Sequence, residues 1–145
     1  MTVNTAKGPF IALVVAFAVA ACSRNNIEAV NLANEGDQAK GANIEEAISK
    51  YEQATKLDPD NARIWWKLAL AYEKKEDWQK MANACVGAQE SAARTEKKKA
   101  HADYYFRQGY ALEQLAEKGA GPWADAKAPF QTTVQIDPNY GQAYG

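Results

Sequence analysis

The feature that most constrains the fold of this 145-residue chain is a pattern that it uses twice. Residues 46–59 read Glu-Ala-Ile-Ser-Lys-Tyr-Glu-Gln-Ala-Thr-Lys-Leu-Asp-Pro, and residues 125–138 read Asp-Ala-Lys-Ala-Pro-Phe-Gln-Thr-Thr-Val-Gln-Ile-Asp-Pro. Both keep an acid followed by alanine, an aromatic (Tyr51 or Phe130), and an aliphatic residue before Asp-Pro. A chain that repeats itself at this scale stacks copies of one supersecondary unit, because no single unit can bury its apolar face alone. Between the copies, Trp65, Leu68, Ala69 and Tyr72 are spaced i, i+3, i+4, i+7, which places them on one face of a helix. Asp77 can then cap a second helix, on which Met81, Cys85 and Ala88 continue the apolar face. The pattern predicts an all-α repeat of helical hairpins.

These segments resemble tetratricopeptide repeats, in which two antiparallel helices, A and B, carry large residues at fixed places in A and small ones where the helices cross. The resemblance implies a helix-turn-helix solenoid of about three repeats with the start of a fourth. The first repeat, 27–61, places Leu32, Gly36 and Ala39 in helix A, then Ala47, Tyr51 and Ala54 in helix B, ending at Pro59. The second, 62–95, starts at Ala62; the third, 96–138, uses Tyr105, Gly109 and Leu112, then Ala126 and Phe130, ending at Pro138. Residues 139–145 open a fourth. Repeat 2 lacks the closing proline, and no Gly or Pro occurs between Gly87 and Gly109. A lengthened helix is therefore expected beside a turn near Thr95, with Thr95 as N-cap. In the loop of repeat 3, Gly119 suits the position after the helix end, and Pro122 suits the first turn of the next helix. Pro129 falls inside helix B of repeat 3 and should bend it, since it cannot donate to the carbonyl of Asp125.

Trp123, Phe130 and Val134 form the last layer of the array. Repeat arrays normally end in a polar cap. The expectation is that the chain is a fragment of a longer protein, or that this last surface docks on a partner or another copy.

The N-terminus poses a separate question. An apolar run of 12 residues, Phe10 to Ala21, follows Lys7 and ends in small residues. It is too short for the roughly 20 residues that a bilayer span needs. A positive start, an apolar stretch and a small-residue end are the layout of a secretory signal. The tetrapeptide Val19-Ala20-Ala21-Cys22 resembles the lipobox of bacterial lipoproteins. That resemblance implies a signal peptide at 1–21, diacylglyceryl and acyl lipid on Cys22, and a tether over 22–26. With Ser23 after the cysteine, it points to the bacterial cell envelope, on the periplasmic face of the outer membrane. Two or three acyl chains anchor firmly where one holds marginally. Cys85 is then left without a partner in the chain and reads as a small core residue.

A formal charge of −1 argues against a nucleic-acid binder. One histidine and two cysteines leave little material for catalysis or a metal site, so no enzyme and no cofactor are expected beyond the lipid. The basic run Glu96-Lys97-Lys98-Lys99 reads as a solvated helix face. In the tetratricopeptide family, places 2, 5, 9, 12 and 13 of each repeat line a concave groove. By that resemblance the protein-binding groove comprises Arg63, Trp66, Leu70 and Lys74 of repeat 2, with Phe106, Tyr110 and Glu113 of repeat 3. Aromatic anchors of this kind suit an extended segment or helix of another protein. Members that clamp C-terminal carboxylates use Lys and Asn there, whereas Trp66 and Leu70 hold two of these places here. The reading that follows is a lipid-anchored scaffold that binds an envelope protein in assembly of an outer-membrane, pilus, secretion or motility complex. The alternative is a substrate-positioning module of a longer envelope enzyme whose catalytic domain lies beyond Gly145.

Overall fold

A computed structural model describes the backbone of residues 9–95 and 101–143 and the side chains of residues 24–95 and 101–141. Six α-helices follow one another among the described residues: α1 (Pro9–Ala39), α2 (Ile44–Leu57), α3 (Ala62–Lys74), α4 (Trp78–Thr95), α5 (Ala102–Glu117) and α6 (Ala124–Ile136). A 3-10 turn, Tyr140–Ala143, closes the described chain. Helices pair as α1 with α2, α3 with α4 and α5 with α6, and each pair packs on the next through α2–α3 and α4–α5. No described helix is long and apolar enough to cross a membrane.

Local chemistry sets the helix ends. Asn43 caps α2 by accepting from the Glu46 amide at 3.2 Å. Asp77 caps α4 by accepting from the Lys80 amide at 3.2 Å, as its place before the apolar face predicts. Both Asp-Pro endings terminate helices in the same way: α2 stops at Leu57 with Asp58 as C-cap, and α6 stops at Ile136 with Asp137 as C-cap. Gly119, at φ +71°, follows the C-cap Lys118 of α5. The amides of Gly119 and Ala120 reach back to the carbonyls of Ala116 and Leu115, at 3.0 and 2.8 Å. That pair of bonds is a Schellman motif, which favours glycine because the backbone there is left-handed.

The core is a column of alanines with a few large side chains between them. Ala47, Ala54, Ala69, Met81, Cys85 and Ala88 are all fully buried, and Tyr51 is 1% exposed. Small residues let the helices approach closely, and the aromatic rings lie over the gaps. A Cβ added to Gly87 would come within 2.6 Å of the Trp65 ring.

Several boundaries differ from the sequence reading. Thr95 is not an N-cap: it is the last residue of α4, where its hydroxyl donates to the Ser91 carbonyl at 2.8 Å. The N-cap of α5 is His101. The lengthened helix is α4, at 18 residues. Pro122 lies before α6 instead of in its first turn; Trp123 is the N-cap, and the Pro122 carbonyl accepts from the Asp125 amide at 3.1 Å. Pro129 lies inside α6, as its place in the repeat predicts, and is buried. Helix α1 likewise runs without interruption through residues 22–26 into the first repeat. The side chains of residues 1–23, including Cys22, and the run Glu96–Lys99 lie outside the described residues.

Candidate functional site

Two features of repeat 2 place its side chains between the flanking repeats. Its helix A, α3, is 13 residues long and apolar on one face, with Ile64, Leu68, Ala69, Ala71 and Tyr72 buried. The remaining face carries Lys67, Leu70 and Lys74 toward α1. There, with Asp37 and Lys40 of α1 and Ile44 and Tyr51 of α2, they line a cavity of about 210 Å³.

Asp37 organises the wall of this cavity. Its carboxylate accepts from the Tyr51 hydroxyl at 2.7 Å, pairs with Lys67, and lies 3.4 Å from Lys40 Nζ. Burial alone would raise its pKa; the bonds from Lys67 and Tyr51 outweigh that and hold the carboxyl below its usual range. Burial and the same carboxylate push the Tyr51 hydroxyl well above the usual phenol range. Lys74 is exposed and makes no ion pair among the described residues. Three ammonium groups thus face one carboxylate around an apolar floor made by Leu70 and Ile44. Such a surface is suited to an acidic segment with an aliphatic side chain.

The next junction, between α3 and α5, is bridged by aromatic and ionic contacts. The Trp66 ring packs on Tyr104 at 5.0 Å between centroids, and Arg107 pairs with Glu73. Tyr110 stands edge-on to Trp78 of α4 at 5.7 Å. Phe106 packs between Phe130 of α6, at 5.7 Å, and Tyr140, at 5.0 Å; the Tyr140 hydroxyl donates to Asp103 at 2.7 Å. Of the side chains assigned to the groove, Trp66, Leu70, Phe106, Tyr110 and Glu113 are half-buried, while Arg63 and Lys74 are exposed. The structure brings Leu70 and Lys74 together in the cavity, and gives Trp66, Phe106 and Tyr110 separate aromatic neighbours. Among the described residues, no group of three or more His, Cys, Asp or Glu could hold a metal ion.

Asp37, Lys40 and Lys67 were not picked out by the sequence reading, although a signal for them exists. Gly36 aligns with Ala69 and Gly109, and counting from it puts Asp37 and Lys40 at groove places 9 and 12 of repeat 1. Lys67 and Arg107 then occupy the same place in repeats 2 and 3. Each reaches back to an acid on the preceding helix A: Asp37 for Lys67, and Glu73 for Arg107.

The architecture is therefore a solenoid of stacked helical hairpins with polar links between successive A helices. A family model described as TPR repeat matches residues 41–76. The N-terminal domain of stress-induced protein-1 (STI-1) from C. elegans is similar, with a TM-score of 0.68 at 21% identity, over 82% of this chain and 93% of that one. The Arabidopsis OM64 TPR domain aligns with a TM-score of 0.59 at 23% identity, over 79% of this chain and 87% of that one. The first TPR of Spaghetti (RPAP3), bound to the HSP90 peptide SRMEEVD, aligns with a TM-score of 0.59 at 23% identity, over 79% of this chain and 82% of that one. The fold is an all-helical, tetratricopeptide-like solenoid.

Proposed function

We propose that this protein is a scaffold that binds a segment of another cell-envelope protein along its A-helix face, held at the bacterial outer membrane by lipid on Cys22. The observation that carries the binding role is the cavity between α1 and α3, where Lys40, Lys67 and Lys74 surround Leu70 and Ile44. An exposed, cationic, part-apolar concavity on a helical frame suits recognition of a partner segment. A similar fold with a peptide bound, the first TPR of Spaghetti, supports this mode of use. The envelope location rests on the apolar run and Val19-Ala20-Ala21-Cys22.

In-cell photo-crosslinking from position 70, with identification of what is captured, tests the groove. Lys74→Glu, on an exposed side chain, should weaken recovery of the captured protein at least tenfold and leave the thermal midpoint within a degree or two. Equal recovery from Lys74→Glu and the parent would end the groove reading. The anchor is tested separately: the parent should incorporate a labelled fatty acid and fractionate with outer membrane, and Cys22→Ser should do neither.

A further inference from the structure

We propose that the cleft between α2, α3 and α4 is a second docking site, and that its occupant is Trp123 of a second copy of this chain. It lies on the face of α3 opposite Leu70 and Lys74, so it does not depend on the groove reading above.

The cleft has a volume of about 510 Å³. Trp65, Leu68 and Tyr72, one face of α3, make its floor with Ala84 of α4. At its centre α4 presents the short side chain of Ala84, and Gly87 one turn on is already covered by the Trp65 ring. Two ammonium groups edge it, Lys56 from α2 and Lys80 from α4. Lys56 makes no ion pair among the described residues. Lys80 sits 5.5 Å above the Tyr72 ring and 3.6 Å from Asp77. The one carboxylate in the lining, Glu52, is already engaged by the Tyr72 hydroxyl. An apolar floor with a cationic edge takes a flat apolar group carrying a nearby carboxylate.

The chain itself presents that group. Trp123 is 59% exposed, the one aromatic among the large hydrophobic side chains exposed in the described residues. It projects from the α5–α6 turn, after Gly119, Gly121 and Pro122, and is followed two residues later by the exposed carboxylate of Asp125. Trp123 belongs to repeat 3 and the cleft to repeats 1 and 2, so the contact joins two different surfaces of two copies. Contacts of this heterologous kind grow into rings or open chains.

Sedimentation velocity of the full chain in a mild non-ionic detergent, over a range of concentrations, reads the outcome. The parent should associate beyond a dimer, and high salt should weaken it. Trp123→Ala alone, and Lys56→Glu with Lys80→Glu, should each weaken self-association at least tenfold while keeping the parent's circular dichroism and melting profile. A mixture of the two variants should form a heterodimer and stop there, because one supplies an intact cleft and the other an intact Trp123. Asp125→Lys should act like Trp123→Ala, which guards against a variant that fails to fold. A monomeric parent at every concentration, variants that associate like the parent, or a mixture that stays monomeric would each overturn the proposal. Loss of self-association without loss of crosslinking at position 70 separates this site from the groove.

Discussion

Gly36 on α1 lies directly under the ring of Tyr51 on α2, so close that a Cβ at position 36 would stand 2.6 Å from Tyr51 Cε1. Gly109 and Phe130 repeat the relationship in the third hairpin, at 2.8 Å. In each, a glycine of helix A makes room for the aromatic of helix B, so the two residues are fixed by one another. Gly36→Ala should therefore destabilise the fold. Alanine gains up to about 1 kcal/mol in helix propensity, but overpacking costs about 1–3 kcal/mol. Because Tyr51 is only 1% exposed and cannot swing away, the net loss should be about 1–2 kcal/mol by chemical denaturation. Gly109→Ala should cost less, since Phe130 is half-buried. Gly41→Ala, where an added methyl meets nothing within 4 Å, is the near-neutral control. Equal stability of Gly36→Ala and Gly41→Ala would contradict the packing account.

Glu76 terminates α3 at φ 57°, a left-handed backbone that disfavours a side chain. Its amide and that of Asp77 bond to the carbonyls of Glu73 and Tyr72, at 2.9 and 3.0 Å, so the turn has the geometry that Gly119 serves at the end of α5. Glu76→Gly should stabilise by about 0.5–1 kcal/mol, less the exposed 3.6 Å pair with Lys118, which contributes little. A lower thermal midpoint in Glu76→Gly would show that the ion pair outweighs the strain.

Asp37 should give the acid limb of stability part of its slope. Its folded pKa is depressed, so the stabilisation it provides is present above its unfolded value of about 4 and is lost as pH falls through the folded value. Asp37→Asn should lower the melting temperature at pH 7, where Lys67 and Tyr51 lose their charged partner. Between pH 4 and 2 the parent should fall toward the variant. Parallel curves over that range would assign the acid limb to other carboxylates.

Cys85 is fully buried, and burial pushes its thiol pKa up to about 12. The thiolate is the reactive form, so at pH 8 alkylation of Cys85 should proceed only through unfolding. Peptide mapping after iodoacetamide treatment should find position 85 unmodified in the native protein, with a rate that rises in step with denaturant. Rapid native labelling at 85 would mean that α4 opens locally.

The hairpin repeat was legible because it is written in spacings. Trp65, Leu68 and Tyr72 mark the packed side of helix A, the Asp-Pro endings stop helix B, and Gly119 and Asp77 take the cap positions that their residue types favour. Thr95 misled because a threonine before a polar stretch looks the same whether its hydroxyl caps the next helix or bonds back to Ser91. Pro122 misled by two positions, since a proline just before a helix and one just inside it leave similar sequences.

The groove was harder to read. Place-counting found the side chains but not their neighbours: whether Trp66 meets a ligand or Tyr104 depends on how far α5 has closed on α3. By itself the sequence determined three stacked hairpins, their order, their small-residue contacts and the approximate ends of their helices, all of which follow from local propensity and period. The neighbours that each groove side chain meets came from the tertiary structure alone. Lys67 and Arg107 hold the same place in successive repeats, yet Lys67 lines a cavity with Asp37, Lys40 and Leu70. Arg107 pairs with Glu73 at a junction where the Trp66 ring packs on Tyr104. That difference depends on side-chain volumes brought together from separate helices.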